Sequence, residues 1–506
     1  MIRSPLGSSM SLPYKIVVGL EVHVQLLTNT KLFCGCSTKF GSPPNSQVCP
    51  VCIGMPGTLP VMNRKAFDLA LRAALALNCS IAEFTKWDRK NYYYPDLPKN
   101  YQISQYDLPF SYEGFLEINA AADPKKEYTP KRIGLFRAHL EEDAGKNTHD
   151  ESGRGADSKV DLNRTGTPLL EIVSKPEINS PEEAKAYLEE IRLMLREIGV
   201  SDCEMQEGSL RCDANVNIHI EHEGGIAATP LVEVKNLNSI TSVGRAIAYE
   251  AERQYKEFKK DPVNYRFGNM FKTTAGWNDV KGITVIQRHK ENASDYRYFP
   301  EPDLVPVVVT PSEVQAAKMA MGELPSEQRK RLQSAPFNLT QYDSQVLTAK
   351  GRRMVTYYEE VTAVIGDGKQ VINRMSDLVM GALNDRKEEI DQFPLSSQTF
   401  ADFMKKTASI TQQGRRDVFN HMLEKGTDAA TSIKELGIQT DFDESKLLQA
   451  VLEAIAANGP AVEDYKKGKT AAANRIKGHV MKTAKGAPND VVQRLLEAEL
   501  AKLMGT

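Results

Sequence analysis

The spacing of apolar residues changes along this chain, and the change constrains the fold more than any other feature of the sequence. From about Lys15 to Pro306, apolar and polar residues alternate in short runs separated by Gly, Pro, Asn and Asp. After Pro306 the apolar residues recur at helical spacing and the alternation largely disappears. Alternation is typical of half-buried β-strands, and the longer spacing is typical of amphipathic helices. The pattern therefore predicts an α+β domain with a large, mainly antiparallel sheet, followed by all-helical middle and tail domains.

Length and local helix signals divide the chain further. At 506 residues the chain exceeds what one hydrophobic core supports, so about two to four domains are expected. Ser180, Pro181 and Glu183 predict a helix start in which Glu183 completes a capping box. Ser312 and Asp377 are predicted to cap two later helices. The predicted segments are a disordered extension over 1–13, the α+β domain over 14–310, a helical domain over 311–406 and a small helical tail domain over 407–506.

Composition and charge limit the kinds of partner that the chain can bind. Lys and Arg total 64 against 66 for Asp and Glu, which gives a net charge of −2. Any contact with RNA must then be a local patch, because the whole-protein field is not attractive to a polyanion. No run of about 18 apolar residues occurs, so no transmembrane helix is predicted. Seven cysteines are too few for a disulfide scaffold, which predicts a reducing, cytoplasmic location.

Four of the cysteines form two close pairs at residues 34–52. Cys34 and Cys36 form the first pair, and Cys49 and Cys52 form the second. Two pairs across a short loop suit tetrahedral zinc, and four thiolate ligands would leave no open position for catalysis. The alternatives are a thioredoxin-like redox motif, for which no βαβ pattern is present, and four packed free thiols. We therefore predict a structural zinc knuckle.

Several predicted strands carry potential metal ligands on one face only. In the first strand Glu21 and His23 alternate with apolar residues, and Glu171 stands within an apolar run. The run from His139 to Lys146 adds further carboxylates. Converging carboxylates, histidine and cations suit a divalent cation with phosphates, whereas the alternative is an antiparallel sheet with a solvated face. Two later strands repeat the alternation with Arg211, Asp213, Asn215 and Asn217 in one, and Glu233 and Lys235 in the other.

Two aromatic segments and two absences complete the pattern. The segments Asp88–Asp96 and Ser294–Asp303 combine cations with several tyrosines, which can stack on adenine or a terminal nucleotide, or simply pack. No Walker A or GxGxxG pattern occurs, so a phosphate site would have to be assembled from strands. A glutaminase nucleophile is also lacking. If the protein uses ammonia, a partner must generate it.

Nine stretches, in this order and over nearly the whole chain from about Tyr14, resemble the GatB subunit of the heterotrimeric glutamyl/aspartyl-tRNA amidotransferase. They are Gly19–His23, Asp88–Asp96, Tyr101–Gln105, His139–Lys146, Val160–Arg164, Gly166–Ile172, Glu207–Asn215, Lys235–Ser239 and Asp295–Asp303. The resemblance implies a cradle-like N-terminal domain that receives mischarged Glu-tRNA(Gln) or Asp-tRNA(Asn). It implies that ATP activates the side-chain carboxylate and that ammonia arrives from an amidase-family subunit. It further implies a small third subunit that holds the other two together.

The resemblance also implies roles for individual residues. It places the catalytic Mg²⁺ site at Glu21, His23, Glu142 and Glu171. Asp213 and Glu233 are added as Mg²⁺ ligands from the strand-face argument alone. The zinc knuckle matches those family members that retain zinc. The expected contacts to ATP are Lys90, Asn91, Tyr92, Arg211 and Lys235.

The tail domain resembles the family's tRNA-binding domain. Its basic residues form a helical stripe, which the sequence alone would assign to a solvated face and the resemblance assigns to the tRNA backbone. Two other functions stay open at this point, a non-catalytic tRNA-binding scaffold and a metal-dependent nuclease or nucleotidyltransferase. The choice between Glu-tRNA and Asp-tRNA is also open. The predicted tRNA contacts are Arg475, Lys477, His479, Lys482 and Lys485.

Overall fold

The computed structural model divides into two compact units, Met1–Gln328 and Arg329–Thr506. The predicted extension over 1–13 lies outside the described part except for Pro13. The described residues are 13–120, 130–149, 158–222, 225–289, 295–438, 444–466, 469–484, 487 and 489–504.

The first unit contains the strands. They are β1 (Lys15–Gln25), β2 (Ser80–Ile81), β3 (Phe84–Thr85), β4 (Asp88–Asn91), β5 (Tyr101–Ser104), β6 (Ser111–Tyr112), β7 (Phe115–Ile118), β8 (Lys131–Glu142), β9 (Lys146–His149), β10 (Ser158–Asp161), β11 (Pro168–Ser174), β12 (Leu210–His222), β13 (Gly225–Ala228), β14 (Val232–Lys235), β15 (Thr273–Asn278), β16 (Ile283–His289), β17 (Phe299–Pro300) and β18 (Val307–Val308). Its long helices are α1 (Arg64–Ala76), α2 (Pro181–Glu197), α3 (Ile240–Lys260) and α4 (Pro311–Met321).

One sheet of eleven strands organises this unit. Its main order is β16-β15-β14-β12-β1-β11-β8-β6-β2, with β13 beside β12 and β7 beside β8. Only the β14–β15 pair is parallel among these described strands, and the other pairs are antiparallel. The predicted large, mainly antiparallel sheet is therefore confirmed. Because β1 lies in the middle of the order, side chains on one face of β1 have neighbours on both sides.

Alternation along β1 produces the two faces of the sheet. Val18, Leu20, Val22 and Val24 have no exposed surface and join the same buried cluster as α1, α2 and α3. Burying one such side chain contributes about 1.5–3 kcal/mol, so the apolar set fixes the orientation of the whole strand. Glu21, His23 and Gln25 must then lie on the opposite face, because successive side chains point to opposite sides of a strand.

Helix starts agree with the sequence at α2 and differ at α4. Ser180 caps α2 by accepting a hydrogen bond from the Glu183 amide, but the Glu183 carboxylate accepts from the Asn179 amide instead of closing a capping box. Thr310, two residues before the predicted Ser312, caps α4. Its side chain and that of Glu313 form the reciprocal capping box, which fixes the start there.

The second unit is helical in its described part. A buried cluster runs from Leu332 to Ile433 and another from Leu447 to Leu500. The predicted cap Asp377 instead lies inside a π-helical turn, Met375–Val379, which continues the preceding helix without a break. No described helix is both long enough and apolar enough to cross a membrane. The remaining helices of the chain are α5 (Pro325–Leu332), α6 (Gln341–Thr348), α7 (Arg352–Ile365), α8 (Gly368–Arg374), α9 (Met380–Arg386), α10 (Ser397–Lys406), α11 (Gln412–Lys425), α12 (Ala429–Glu435), α13 (Glu444–Ala457), α14 (Gly459–Lys466), α15 (Ala473–Thr483) and α16 (Asn489–Met504), with short 3₁₀ turns at Ile390–Gln392 and Thr470–Ala472.

Candidate active site

The polar face of the central sheet brings most of the predicted site residues together. Strand register places His23 between Glu171 on β11 and Arg211 on β12. It places Glu21 directly opposite Asp213. Directly opposed residues in antiparallel strands point to the same face, so these side chains share one surface. The described residues on that surface form two groups of possible metal ligands.

The first ligand group consists of His23, Glu141 and Glu171, whose ligand atoms all lie within 4.8 Å of one another. Nε2 of His23 is 3.7 Å from a carboxylate oxygen of each glutamate. His139 lies on β8, the strand that also carries Glu141, and its Nε2 is 3.3 Å from a carboxylate oxygen of Glu171. Both carboxylates are largely buried, with side-chain exposures of 4% for Glu141 and 13% for Glu171. Such carboxylates need cationic or metal partners, because an unpaired buried charge is costly.

The electrostatics of the first ligand group favour charged side chains. Burial favours the neutral imidazole of His23, but the hydrogen bond to Glu171 and the charges of Glu171 and Glu141 raise its pKa to about 9. Burial alone would raise the pKa of Glu171, and the adjacent His139 and His23 outweigh it, so that pKa lies well below its usual value. The proton on His23 balances these carboxylates, and a divalent cation held by the same three side chains would displace that proton.

The second ligand group consists of Glu21, Asp213 and Glu233, again with ligand atoms within 4.8 Å of one another. Lys235 Nζ lies 2.6 Å from Asp213 and 2.9 Å from Glu233. Burial lowers the pKa of Lys235, but these two carboxylates raise it above the usual value. Glu21 and His23 are two residues apart on one strand face, so the two groups are separated by about 7 Å along β1.

Further cations surround the two groups. Lys90 on β4 has its Nζ 5.1 Å from the ring centroid of Tyr296 and 5.7 Å from that of Tyr92. Burial lowers the pKa of Lys90, and the charges of Glu141 and other neighbours raise it above the usual value. Arg211 donates to Asp143 over 2.7 Å, which holds the guanidinium beside the same face.

Asn91 and Tyr92 have local partners. The Asn91 side chain donates to the backbone carbonyls of Tyr296 and Arg297, over 3.2 and 2.7 Å. The Tyr92 hydroxyl donates to Gln102 over 3.4 Å. Asn91 therefore joins the two aromatic segments that the sequence singled out. Contact between either residue and ATP stays a prediction.

Glu142 lies outside both ligand groups. Alternation along β8 directs Glu141 to the polar face and Glu142 to the other, where the Lys99 ammonium and the Ile103 amide contact its carboxylate. The role of Glu142 at the Mg²⁺ site stays a prediction. Sequence reasoning did not single out Glu141 or His139. Their two-residue spacing, which places them on the opposite face from buried Leu140, was the available signal.

The four cysteines of the predicted zinc knuckle converge. Their sulfur atoms lie within 4.8 Å of one another, with Cys52 Sγ 3.6 Å from Cys34 Sγ and 3.7 Å from Cys49 Sγ. Zinc–sulfur bonds of about 2.3 Å in a tetrahedron require sulfur atoms about 3.8 Å apart, so the residues fit this metal. The fully buried Lys31 places its ammonium 3.4 Å from Cys52 Sγ. The hydrogen bond from Cys34, with smaller contributions from the Cys49 backbone and the Lys31 charge, outweighs burial and lowers the pKa of Cys52 to about 4.

The predicted tRNA contacts of the tail lie on α15, apart from one residue. Lys485 is outside the described residues. Arg475 and Lys482 are exposed, while Nδ1 of His479 is 2.9 Å from Nδ2 of Asn458. Lys477 is half-buried on the same helix. Arg475 and Lys482 are therefore the predicted contacts on α15 whose positive charges are most accessible to a polyanion.

Comparison with known proteins agrees with this arrangement. Residues 16–315 match the family described as the GatB/GatE catalytic domain, and residues 356–500 match the family described as the GatB domain. The aspartyl/glutamyl-tRNA(Asn/Gln) amidotransferase B subunit of Rhodopirellula baltica is 47% identical over 505 residues, covering 99% of this chain and 100% of the relative. The protein of that name from Carboxydothermus hydrogenoformans is 44% identical, covering 97% of this chain and 99% of the relative. This chain therefore belongs to the GatB family, the B subunits of aspartyl/glutamyl-tRNA(Asn/Gln) amidotransferases.

Proposed function

We propose that this chain is the activating subunit of a glutamine-hydrolysing, tRNA-dependent amidotransferase. It phosphorylates the side-chain carboxylate of Glu-tRNA(Gln), Asp-tRNA(Asn) or both with ATP, and the activated acid is then amidated. The observation that carries the proposal is the pair of ligand groups on one sheet face, each with three ligand atoms within 4.8 Å and with lysines beside them. A scaffold would gain no stability from gathering five carboxylates on one face, because like charges repel and the two that are buried, Glu141 and Glu233, need partners.

The chemistry of the proposed reaction explains why cations are needed. A carboxylate oxygen of the charged tRNA attacks the γ-phosphorus, the bond to the β–γ bridging oxygen breaks, and ADP leaves. Ammonia then attacks the acyl carbon, the bond from that carbon to the phosphate oxygen breaks, and inorganic phosphate leaves with the proton that the nitrogen loses. Negative charge gathers on the transferring phosphoryl group in the first step, so fixed cations at that position lower the barrier.

Different residues of the sheet face would bind the metal ions and neutralise the phosphate charge. Glu21, Asp213 and Glu233 would hold Mg²⁺ that neutralises phosphate charge, and the His23 group would hold a second divalent ion. Lys235 already pairs with two carboxylates of the second ligand group, Asp213 and Glu233, and its ammonium would be free to contact phosphate oxygens when a metal ion takes those carboxylates. Lys90, whose pKa is raised by the charge of Glu141, would oppose charge on the substrate carboxylate. Glutamine hydrolysis is assigned to an amidase-family partner, and a small third subunit completes the heterotrimer.

The proposal is tested in the assembled three-subunit complex with ammonium chloride replacing glutamine. We expect ADP and amidated tRNA to form in equal amounts when ATP, Mg²⁺ and mischarged Glu-tRNA(Gln) or Asp-tRNA(Asn) are supplied. Correctly charged Gln-tRNA(Gln) is the matched control, because it lacks the side-chain carboxylate and should not stimulate ADP formation. ATP cleavage at the same rate with and without mischarged tRNA would contradict the proposal.

We further propose that the four-cysteine group binds a structural zinc ion. Four cysteine ligands close the coordination sphere, so the metal would hold the loop 34–52 and take no part in the reaction. Lys31 offsets part of the negative charge of four thiolates. Its ammonium also donates to the carbonyl of Gln47 over 2.8 Å, which links the segment after β1 to the knuckle. A reducing compartment such as the cytoplasm suits both the thiolates and the proposed reaction.

The helix α15 is proposed to bind the tRNA backbone. Replacing both exposed cations, Arg475→Ala with Lys482→Ala, should raise the dissociation constant for tRNA about fivefold or more. It should also reduce the salt dependence of that constant by about 1.5 in a log–log plot, because each phosphate contact releases bound counterions. Filter binding at several salt concentrations measures both quantities. Lys446→Ala with Lys502→Ala removes the same charge from exposed positions on other helices and is the control; equal effects from the two pairs would contradict a specific surface.

A further inference from the structure

The Asp143 carboxylate joins three polar side chains at one end of the polar sheet face. Asp143 directly follows β8, and its side chain is 2% exposed. One carboxylate oxygen accepts a hydrogen bond from the Gln25 side chain over 2.8 Å, and the other accepts from Nη2 of Arg211 over 2.7 Å. Nε of Arg164 lies 3.4 Å from the carboxylate. Resting on the proposed function, we propose that Asp143 is a positioning residue that orients Arg211 toward the phosphoryl group transferred from ATP.

Backbone hydrogen bonds hold Asp143 in place. Its amide donates to the Thr167 carbonyl over 2.9 Å, and the Gly166 amide donates to the Asp143 carbonyl over 2.8 Å. These two bonds attach the end of β8 to the segment that leads into β11. A long arginine side chain loses conformational entropy when it is ordered. A carboxylate on such a fixed backbone is therefore a suitable anchor, because it restricts the guanidinium before any ligand binds.

The position of Arg211 on β12 suits contact with the transferring phosphoryl group. Arg211 stands directly opposite His23, which stands opposite Glu171 on its other side. Directly opposed residues have Cα atoms about 4.5–5.5 Å apart, so Arg211 is adjacent to the first ligand group. Asp213 of the second ligand group is two residues away on the same strand face, about 7 Å along β12. The guanidinium thus borders both proposed metal sites, between which a triphosphate would extend.

The Arg211 guanidinium is only partly engaged by the protein. Its side chain is 36% exposed, and its buried Nε has no hydrogen-bond partner among the described residues. A buried N–H group without an acceptor costs stability, which indicates that a ligand supplies one. In contrast, Arg253 directs both Nε and Nη2 to the two oxygens of buried Glu250. Asp143 therefore anchors Arg211 through one Nη group and leaves other donors for an anion such as a phosphoryl group.

A double-mutant cycle in the assembled complex tests whether Asp143 acts through Arg211. We expect Asp143→Asn to lower the kcat of ammonia-dependent amidation about 30-fold or more, and Arg211→Ala to lower it about 100-fold or more. The double variant should be within about threefold of Arg211→Ala, because no guanidinium remains to be oriented. The KM for ATP, and the Kd for ATP with Mg²⁺ from calorimetry, should change less than about threefold in Asp143→Asn, because the lost interaction belongs to the transition state.

Glu250→Gln is the matched control for loss of a buried carboxylate. Glu250 lies on α3, is fully buried and pairs with Arg253 away from the polar face. Its replacement should lower the melting temperature and leave kcat per folded complex unchanged. An equal fall in kcat in Glu250→Gln and Asp143→Asn would overturn the positioning role, because loss of any buried ion pair would then have the same effect.

Chemical rescue keeps the inference testable if Asp143→Asn fails to fold. In Arg211→Ala the Asp143 carboxylate is retained and can bind a free guanidinium ion. Guanidinium chloride at millimolar concentrations, well below those that unfold proteins, should raise kcat at least about tenfold. Urea has a similar planar shape without the charge and should not. Failure of guanidinium to restore any activity, or equal rescue by urea, would overturn the assignment of Asp143 as the anchor.

The outcomes also separate this inference from the proposed function. Wild-type kcat in Asp143→Asn, or losses that multiply in the double variant, would overturn the positioning role and leave ATP-dependent amidation intact. A wild-type complex that cleaves ATP equally with and without mischarged tRNA would instead overturn the proposed function.

Discussion

Replacement of Glu171 by glutamine is expected to reduce ammonia-dependent amidation at least about 100-fold. Glu171 is the centre of the first ligand group, 3.7 Å from His23 and 3.3 Å from His139. Glutamine has the same shape but carries no charge to balance a divalent cation or the protonated imidazole of His23. The turnover number of the assembled complex, with ammonium chloride and mischarged tRNA, is the measurement.

Three comparisons make the Glu171 experiment specific. Glu182→Gln, at an exposed position in the first turn of α2, neutralises a glutamate away from the sheet face and should keep wild-type turnover. Glu141→Gln should behave like Glu171→Gln, because Glu141 shares the polar face. Glu142→Gln should act mainly on stability, because its partners are Lys99 and the Ile103 amide. Wild-type turnover in Glu171→Gln would contradict the assignment of this group to the reaction.

Replacement of Cys52 by serine is expected to remove nearly all zinc from the protein. Wild-type protein purified without chelator should contain about one zinc ion per chain, and Cys52→Ser should retain less than about a tenth. The Cys52 sulfur is close to both Cys34 and Cys49, and a hydroxyl is a poor substitute for a thiolate ligand of zinc. Elemental analysis of purified protein measures the metal directly.

The same substitution should lower thermal stability. Binding of a structural zinc ion is coupled to folding of its loop, so loss of the ion removes several kcal/mol of stabilisation. Loss of the Cys52 thiolate also takes a negative neighbour from the ammonium of fully buried Lys31. Cys79→Ala is the matched control, because Cys79 is a buried cysteine outside the four-cysteine group. Absence of zinc from the wild-type protein would contradict the proposal, as would full retention of zinc in Cys52→Ser.

Short-range features could be predicted from the sequence because they depend on local geometry. The cysteine spacing predicted a four-sulfur group, and the four sulfur atoms do converge. The helix start at Ser180 was also predicted, since a capping side chain needs only the next turn of backbone. The cap at Ser312 was wrong for a related reason. Thr310 competes for the same helix end and, with Glu313, satisfies more of its free amides.

Predicting the two ligand groups from the sequence required both local and long-range information. Alternation placed Glu21 and His23 on one face of β1, because the period of two follows from backbone geometry alone. The same alternation could have placed Glu141 and Glu142 on opposite faces of the sheet, because adjacent residues on a strand cannot share a face. That inference needed β8 to be recognised as one continuous strand through both residues. The apolar residue Leu140 between His139 and Glu141 was the only local indication.

The sequence by itself determined which face of each strand is polar, where the cysteines pair and where the chain changes from sheet to helix. Only the tertiary structure decided that β1 lies between β11 and β12, and that Glu171 stands opposite His23 while Asp213 stands opposite Glu21. Side-chain alternation is a property of the covalent backbone, repeated every two residues. Strand order and register instead depend on how the apolar faces pack together over long sequence separations. A shift of one residue in register would have sent each strand's ligands to the buried face.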